Sequence, residues 1–586
     1  MKKASLLMAL GVCMSSVLSA QTTQPNWKQE FQRASDEYFD QVYFPYSPTN
    51  GTSVGYHQYD GQLEDYSRKT IDAEIAALKN FEQRIEAIHP DNSVSDFVPR
   101  SDREIVLGNI RSTLLTLETI RPWEKNADNY SSTCANAAFV LMERKFAPPD
   151  QRLRSLVARE KQMPKLLAEA RVNLKNPPRV YTEIAIEQLP GIISFFEHDV
   201  PLAFANASDA ELKAEFARTN AAVIAALQSY QGWLKSDLLA RSNGDFRIGA
   251  DAFRKKLEYD EMVDLPLDRL LEIGWADLHK NQAHFKQVAA ELDPSKTPRQ
   301  VLEELDADHP APDQLLNSFR ATFNGLVSFI NAHHIVTIPS NVRPIVEETP
   351  PFMRATTFAS MDTPGPYETH ATEAYFNVTL PDPSMTPAQV EGYMHSFNVG
   401  TVISTAVHEA YPGHYVQFLW VPKAPSRVRK LLGANTNVEG WAHYCEQMML
   451  DEGYGQPGAG ARDERESKLL RLGQLQDALL RDARFIVGIE MHTGKMTMAQ
   501  AEEFFEREGY QSKETAIVET KRGTSDPTYL YYTLGKLEIL KLREDLEKKE
   551  GAAFSLEKFH DDFLRQGFPP VKIVREAMMG DNSPTL

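Results

Sequence analysis

Cysteine is nearly absent from this chain: three occur in 586 residues. One of them, Cys13, falls in an apolar leader, which leaves Cys134 and Cys445. Two thiols are too few for a thiolate zinc cluster, so any metal must be held by histidine and carboxylate. A disulfide between them in an oxidising compartment and two separate buried thiols are equally open readings, because sequence does not show whether they are close. Basic runs are absent too. Lys and Arg number 63 against 81 Asp and Glu, a formal net charge of −18. Nucleic acid and anionic membrane both demand clustered cations, so the balance argues against either as the main partner. Beyond the leader no stretch is apolar enough for a transmembrane segment, no Gly- or Ser-rich linker divides the chain, and no fixed-period repeat points to a solenoid. A hydrophobic content of 42% with 25% charged residues rules out disorder and fibre.

What is present begins with residues 1–20. Lys2 and Lys3, an apolar stretch over 4–18 and the small pair Ser19-Ala20 read as a cleaved secretory signal. That predicts a periplasmic or secreted protein. Leu10-Gly-Val-Cys13 faintly matches a lipoprotein box, but Val12 is bulky and the apolar run continues past it, so a lipid anchor is not expected. Apolar residues recur at three and four over residues 71–88, 102–117, 150–174, 209–239, 267–292 and 313–332, which predicts helices, with Ser208 as one cap. The texture changes after Ala332. Residues 335–339, 344–348 and 374–379 are short, β-branched or aromatic, and bounded by Pro and Gly, so they predict one small sheet. The division expected is a signal at 1–20, an N-terminal helical region over 21–332 and a C-terminal region over 333–586 carrying sheet and site. The fold class expected is mainly α. Thr386-Pro-Ala-Gln389 is a capping box with Pro at the first helical position, and the helix it opens is expected to run through Val390, Tyr393, Phe397, Ile403 and Val407.

That helix arrives at His408-Glu409-Ala-Tyr-Pro412-Gly413-His414. Two imidazoles with a carboxylate beside the first suit a zinc hydrolase, in which the imidazoles hold the metal and the carboxylate takes a proton from water. The histidines are six apart rather than four. At about 100° per residue that spacing puts them about 120° off a common helical face, so a regular helix cannot aim both at one ion. Pro412 disfavours helix at Tyr411, and Gly413 permits a bend that returns His414 to the site. A second segment, Val438-Glu439-Gly-Trp-Ala-His443-Tyr-Cys-Glu446, places Glu439, His443 and Glu446 on one helical face, 25 residues after His414. This is the layout of a His₂Glu zinc site, with Glu439 the favoured third ligand over Glu446. Glu446 or His443 then orients a ligand.

HEAYPGH followed by EGWAHYCEQ resembles the signature of a bacterial family catalogued as a domain of unknown function, often exported and regarded as gluzincin-type zinc metallopeptidases. Gly55-Tyr-His57-Gln-Tyr-Asp60, Phe246-Arg-Ile-Gly249 and the segment from Asp526 to Gly535-Lys536 fit the same resemblance, which covers nearly all of the mature chain. It implies a zincin-like, mostly helical metallopeptidase with Zn²⁺ on His408, His414 and Glu439, and Glu409 as base.

Two further features bear on chemistry. An edge strand beside a metal site binds extended peptides by backbone pairing, and Ala374, Tyr375, Phe376 and Asn377 are the expected contact. Tyr532, then Tyr531, are candidates to stabilise an oxyanion, and Arg522 to hold a substrate carboxylate. Arg354 is a weaker candidate, and His333, His334, His370 and His395 have no spacing that demands a ligand role. The expected function is hydrolysis of short peptides by metal-activated water. A zinc hydrolase of a non-peptide amide or ester, and a non-catalytic periplasmic binding protein with a relic site, are the alternatives. Oligomeric state is not legible.

Overall fold

Helix-forming signals are realised along most of the chain, and where the computed structural model departs from them a proline or a cap is the cause. It describes residues 26–90, 96–354 and 357–586; the signal and Cys13 lie outside these. The expected helix over 150–174 is two, Pro149–Glu160 and Met163–Asn173. Pro164 falls in the first turn of the second, the one place where its missing N–H costs nothing. The helix Ala210–Trp233 is capped by Asp209, whose carboxylate accepts from the Glu211 and Leu212 N–H groups, and not by Ser208, which instead donates to Asp150.

The elements that build the site are α1 (Asp128–Met142), α2 (Arg179–Ser194), α3 (Leu267–Leu292) and α4 (Leu315–Ala332), then strands β1 (Ile345–Glu348), β2 (Ala359–Asp362) and β3 (Tyr375–Val378). After the sheet come α5 (Pro387–Met394), α6 (Val399–Glu409), α7 (His414–Trp420), α8 (Asn435–Asp451), α9 (Glu464–His492), α10 (Lys513–Ser525) and α11 (Tyr531–Glu550). The Thr386 capping box is present, but its helix stops at Met394. Asn398 then starts α6 afresh, its side chain accepting from the Gly400 and Thr401 N–H groups.

The sheet runs β1-β3-β2, with β1 parallel and β2 antiparallel to β3. Two expectations are corrected here. Residues 335–339 form no strand, because side chains satisfy their backbone: His560 donates to the Ile335 carbonyl, Asp561 accepts from Thr337 N–H, and Trp420 Nε1 donates to the Thr337 carbonyl. The segment Ala374 to Asn377 is not an edge. Tyr375–Val378 is paired on both sides, which leaves no backbone free for a peptide; β1 and β2 are the edges, and β2 is the one that lines the cleft described below.

Buried cores tie the chain together across residue 332. The largest joins Phe319 and Phe323 of α4 to Phe376 of β3, Ala406 and Val407 of α6, Trp441 and Tyr444 of α8, and Ile539 of α11. Each fully buried side chain of this kind contributes about 1.5–3 kcal/mol of transfer free energy. Another joins Leu270, Leu278 and Phe285 of α3 to Leu472, Leu479 and Phe485 of α9 and Leu534 of α11. Cys134 and Cys445 are both free, buried thiols lying in different cores, which settles against a disulfide between them. Among the described residues no helix is long and apolar enough to cross a membrane.

Candidate metal centre

α6 delivers His408 and Glu409 to the floor of a cleft because it is packed hard against α9. A Cβ on Gly400 would lie 2.8 Å from the Cα of Gly473, so the two backbones touch there. At its end the helix breaks over Tyr411, Pro412 and Gly413, and the Gly413 N–H donates to the Val407 carbonyl at 2.9 Å. Any side chain at 413 would strike this turn, since a Cβ would fall 1.8 Å from the His408 carbonyl oxygen. His414 then opens α7. Trp441 of α8 holds the bend from outside, its Nε1 donating to the Pro412 carbonyl at 3.0 Å.

The bend brings both imidazoles to one carboxylate. Glu439 Oε2 lies 3.3 Å from His408 Nε2 and 3.3 Å from His414 Nε2. Ligand atoms each about 2.0–2.1 Å from a tetrahedral ion stand about 3.3 Å apart, so the three donors fit zinc. His408, Glu409 and His414 also offer donor atoms within 4.8 Å of one another, which makes Glu409 a competitor for the third position. Glu439 differs in that one of its oxygens stands equally close to both imidazoles. Glu409 Oε2 and His414 Nδ1 are buried without a hydrogen-bond partner, an arrangement that costs about 1–3 kcal/mol per group unless it serves something else.

Behind the donors lies a second layer. Glu446 Oε1 accepts from His408 Nδ1 at 2.6 Å, its other oxygen meets His443 Nδ1 at 3.0 Å, and Arg481 stands 3.4 Å away. Burial pushes the Glu446 carboxyl up, but Arg481 and the two imidazoles hold it well below the usual carboxylate range. Burial likewise pulls His408 down, yet the hydrogen bonds to Glu439 and Glu446 raise it to about 9. His443, fully enclosed, is held down to about 4 chiefly by burial. It is therefore a neutral prop for Glu446. Its Nε2 is buried without a hydrogen-bond partner.

The cleft above measures about 700 Å³. Phe358, Ala359, Ser360 and Met361 of the β2 segment form one side. Asn126, Asp128, Asn129, Tyr181, Ile184 and Gln188 of the N-terminal helices form another, and Arg481, Arg484, Arg522 and Tyr532 a third. The Tyr532 phenol oxygen accepts from Arg522 Nη2 at 2.8 Å, so its own proton is free to point into the cleft. Burial pushes its pKa up to about 12, which keeps it a donor. Tyr531 does not share this position: its hydroxyl donates to Asp526 at 2.8 Å. Arg522 lines the cleft and reaches both Tyr532 and Asp526 through Nη2, so it braces the phenol. Arg354 is bound to Glu348 and the Thr349 carbonyl. Sequence reading missed Asp477, Arg481 and Arg484, which line the cleft, although their spacing of four and three puts them on one face of the helix.

Solved structures share this architecture. One, a candidate lipoprotein of unknown function from Shewanella oneidensis, is 27% identical with a TM-score of 0.74, over 94% of this chain and 99% of its own. Another, a candidate lipoprotein from Colwellia psychrerythraea, is 18% identical with a TM-score of 0.77 over 94% and 98%, a likeness of fold alone. No curated protein matches. The family model for bacterial proteins of unknown function DUF885 matches residues 48–578, and the chain belongs to that family.

Proposed function

We propose that this chain is an exported zinc-dependent metallopeptidase of zincin type, acting on short, extended peptides. The observation that carries the reading is the meeting of His408, His414 and Glu439 at equal 3.3 Å separations beside the unpartnered, buried carboxylate of Glu409. When bound, zinc supplies Lewis acidity to a carbonyl and lowers the pKa of water. Glu409 takes the proton from the attacking water and hands it to the leaving amine. Tyr532 donates to the carbonyl oxygen as charge develops there, with Arg522 fixing its orientation. Glu446 keeps the Nε2 of His408 turned to the ion by holding Nδ1. The free edge of β2 offers backbone groups to an extended substrate, and Ser360 Oγ, buried there without a partner, is an added polar contact. An envelope or extracellular location follows from the leader and is supported by the candidate lipoprotein that is 27% identical. That neighbour weighs against the expectation that no lipid anchor is present.

The test is Glu409→Gln on the mature protein. Zinc content by elemental mass spectrometry stays as in wild type, while turnover of a peptide library falls by about 10²–10⁴-fold. Near-normal hydrolysis overturns the base assignment. A wild-type chain that stays metal-free when zinc is offered overturns the whole reading.

A further inference from the structure

A second gathering of metal-type donors adjoins the same cleft, which one of its members, His395, lines. His309 follows the helix Pro298–Asp306 and brings Nε2 to 3.3 Å from Glu391 Oε1. His395 Nε2 approaches the same oxygen at 3.8 Å. The three residues offer donor atoms all within 4.8 Å of one another. Glu391 and His395 are four apart, on α5 and the turn that continues it, so a single helical face presents both. These separations are close to those of the first cluster and to the spacing of about 3.3 Å that a tetrahedral ion imposes.

The ring of His309 is oriented from behind. Its Nδ1 donates to the Pro310 carbonyl at 2.9 Å, the kind of outer bond that fixes the tautomer of a ligating histidine. The Nε2 lone pair then faces a carboxylate oxygen that a second imidazole also approaches. Lone pairs facing each other need something cationic between them. A proton serves one imidazole–carboxylate pair, whereas two imidazoles converging on one oxygen suit a divalent ion.

We propose that His309, Glu391 and His395 form a second binding site for a late divalent transition metal such as Zn²⁺, Cu²⁺ or Ni²⁺. Imidazole donors select such ions over Mg²⁺ and Ca²⁺. The site is the weaker and faster-exchanging of the two, because the Glu391 side chain is 60% exposed against 22% for Glu439. Its place in the fold gives it a consequence. Asn398, the cap of α6, donates to Asp306 at 3.0 Å, and the Val399 N–H donates to the Asp308 carbonyl at 3.0 Å. An ion on His309 and His395 therefore clamps the residue 307–311 loop to the chain that leads into His408 and Glu409.

The proposal is tested by equilibrium dialysis of the mature chain against Zn²⁺. Wild type takes up two ions of unequal affinity, and the double variant His309→Ala, His395→Ala keeps the tight one and loses the weak one. His414→Ala does the reverse, so failure at one site is read separately from failure at the other. On the His414→Ala chain, which lacks the tight site, one equivalent of Cu²⁺ gives an electron paramagnetic resonance spectrum with hyperfine structure from two nitrogens. Equal uptake by wild type and the double variant, or a copper spectrum without histidine nitrogen, overturns the proposal.

Discussion

Two groups of two imidazoles and one carboxylate border a single cleft, and their surroundings differ. In the first, the Nε2 atoms of His408 and His414 share Glu439, and a buried layer of Glu446, His443 and Arg481 stands behind. In the second, His309 has a backbone carbonyl behind it and Glu391 is largely in water. Donor type alone is therefore not what separates the two clusters. The difference lies in the next layer out: an unpartnered carboxylate at Glu409, a braced phenol at Tyr532 and a low-dielectric bed that strengthens each charge.

The strongest way to break this contrast is Gly413→Ala. The new methyl meets the His408 and Val407 carbonyl oxygens, so the bend cannot form; the tight ion and all activity are lost, and stability falls by about 3 kcal/mol or more. Metal counting and a denaturant melt check this, and a variant that still holds the tight ion shows that the turn is dispensable. Tyr532→Phe comes next. It lowers kcat by about 10²–10³-fold with KM and zinc content unchanged, separating chemistry from metal binding within the first cluster; steady-state kinetics decide. Smallest is Glu446→Gln, which leaves an acceptor for His408 Nδ1 but removes its charge. Zinc affinity, measured by chelator competition, falls about 10–100-fold, bringing the first site closer to the second.

How much of this could be read from residues alone depended on distance along the chain. His408, His414 and Glu439 were legible because helical periodicity and one Pro-Gly bend connect them within a short segment. The rim donors were not, since His309 stands 82 residues from Glu391 and only the packing of the helix after Pro298 brings them together. The edge strand was misplaced for a related reason. Ala359-Ser-Met-Asp362 has little β-branched character, and its extended form is imposed by pairing with β3. Conversely, 335–339 has strand composition, but His560, Asp561 and Trp420 claim its backbone groups first.

The contact of α8 with α11 has a mechanical consequence. A Cβ on Gly535 would fall 1.9 Å from the Thr436 carbonyl oxygen, and one on Gly440 2.6 Å from the Gly535 Cα. Glu439 adjoins the one glycine, and Tyr532 lies one helical turn before the other. Two bare backbones pressed together behave as a single beam, so the gap between Glu439 and Tyr532 is held at one width. On the proposed function, the part left to move when a substrate enters is the facing jaw, built from the N-terminal helices around Asn126 and Gln188.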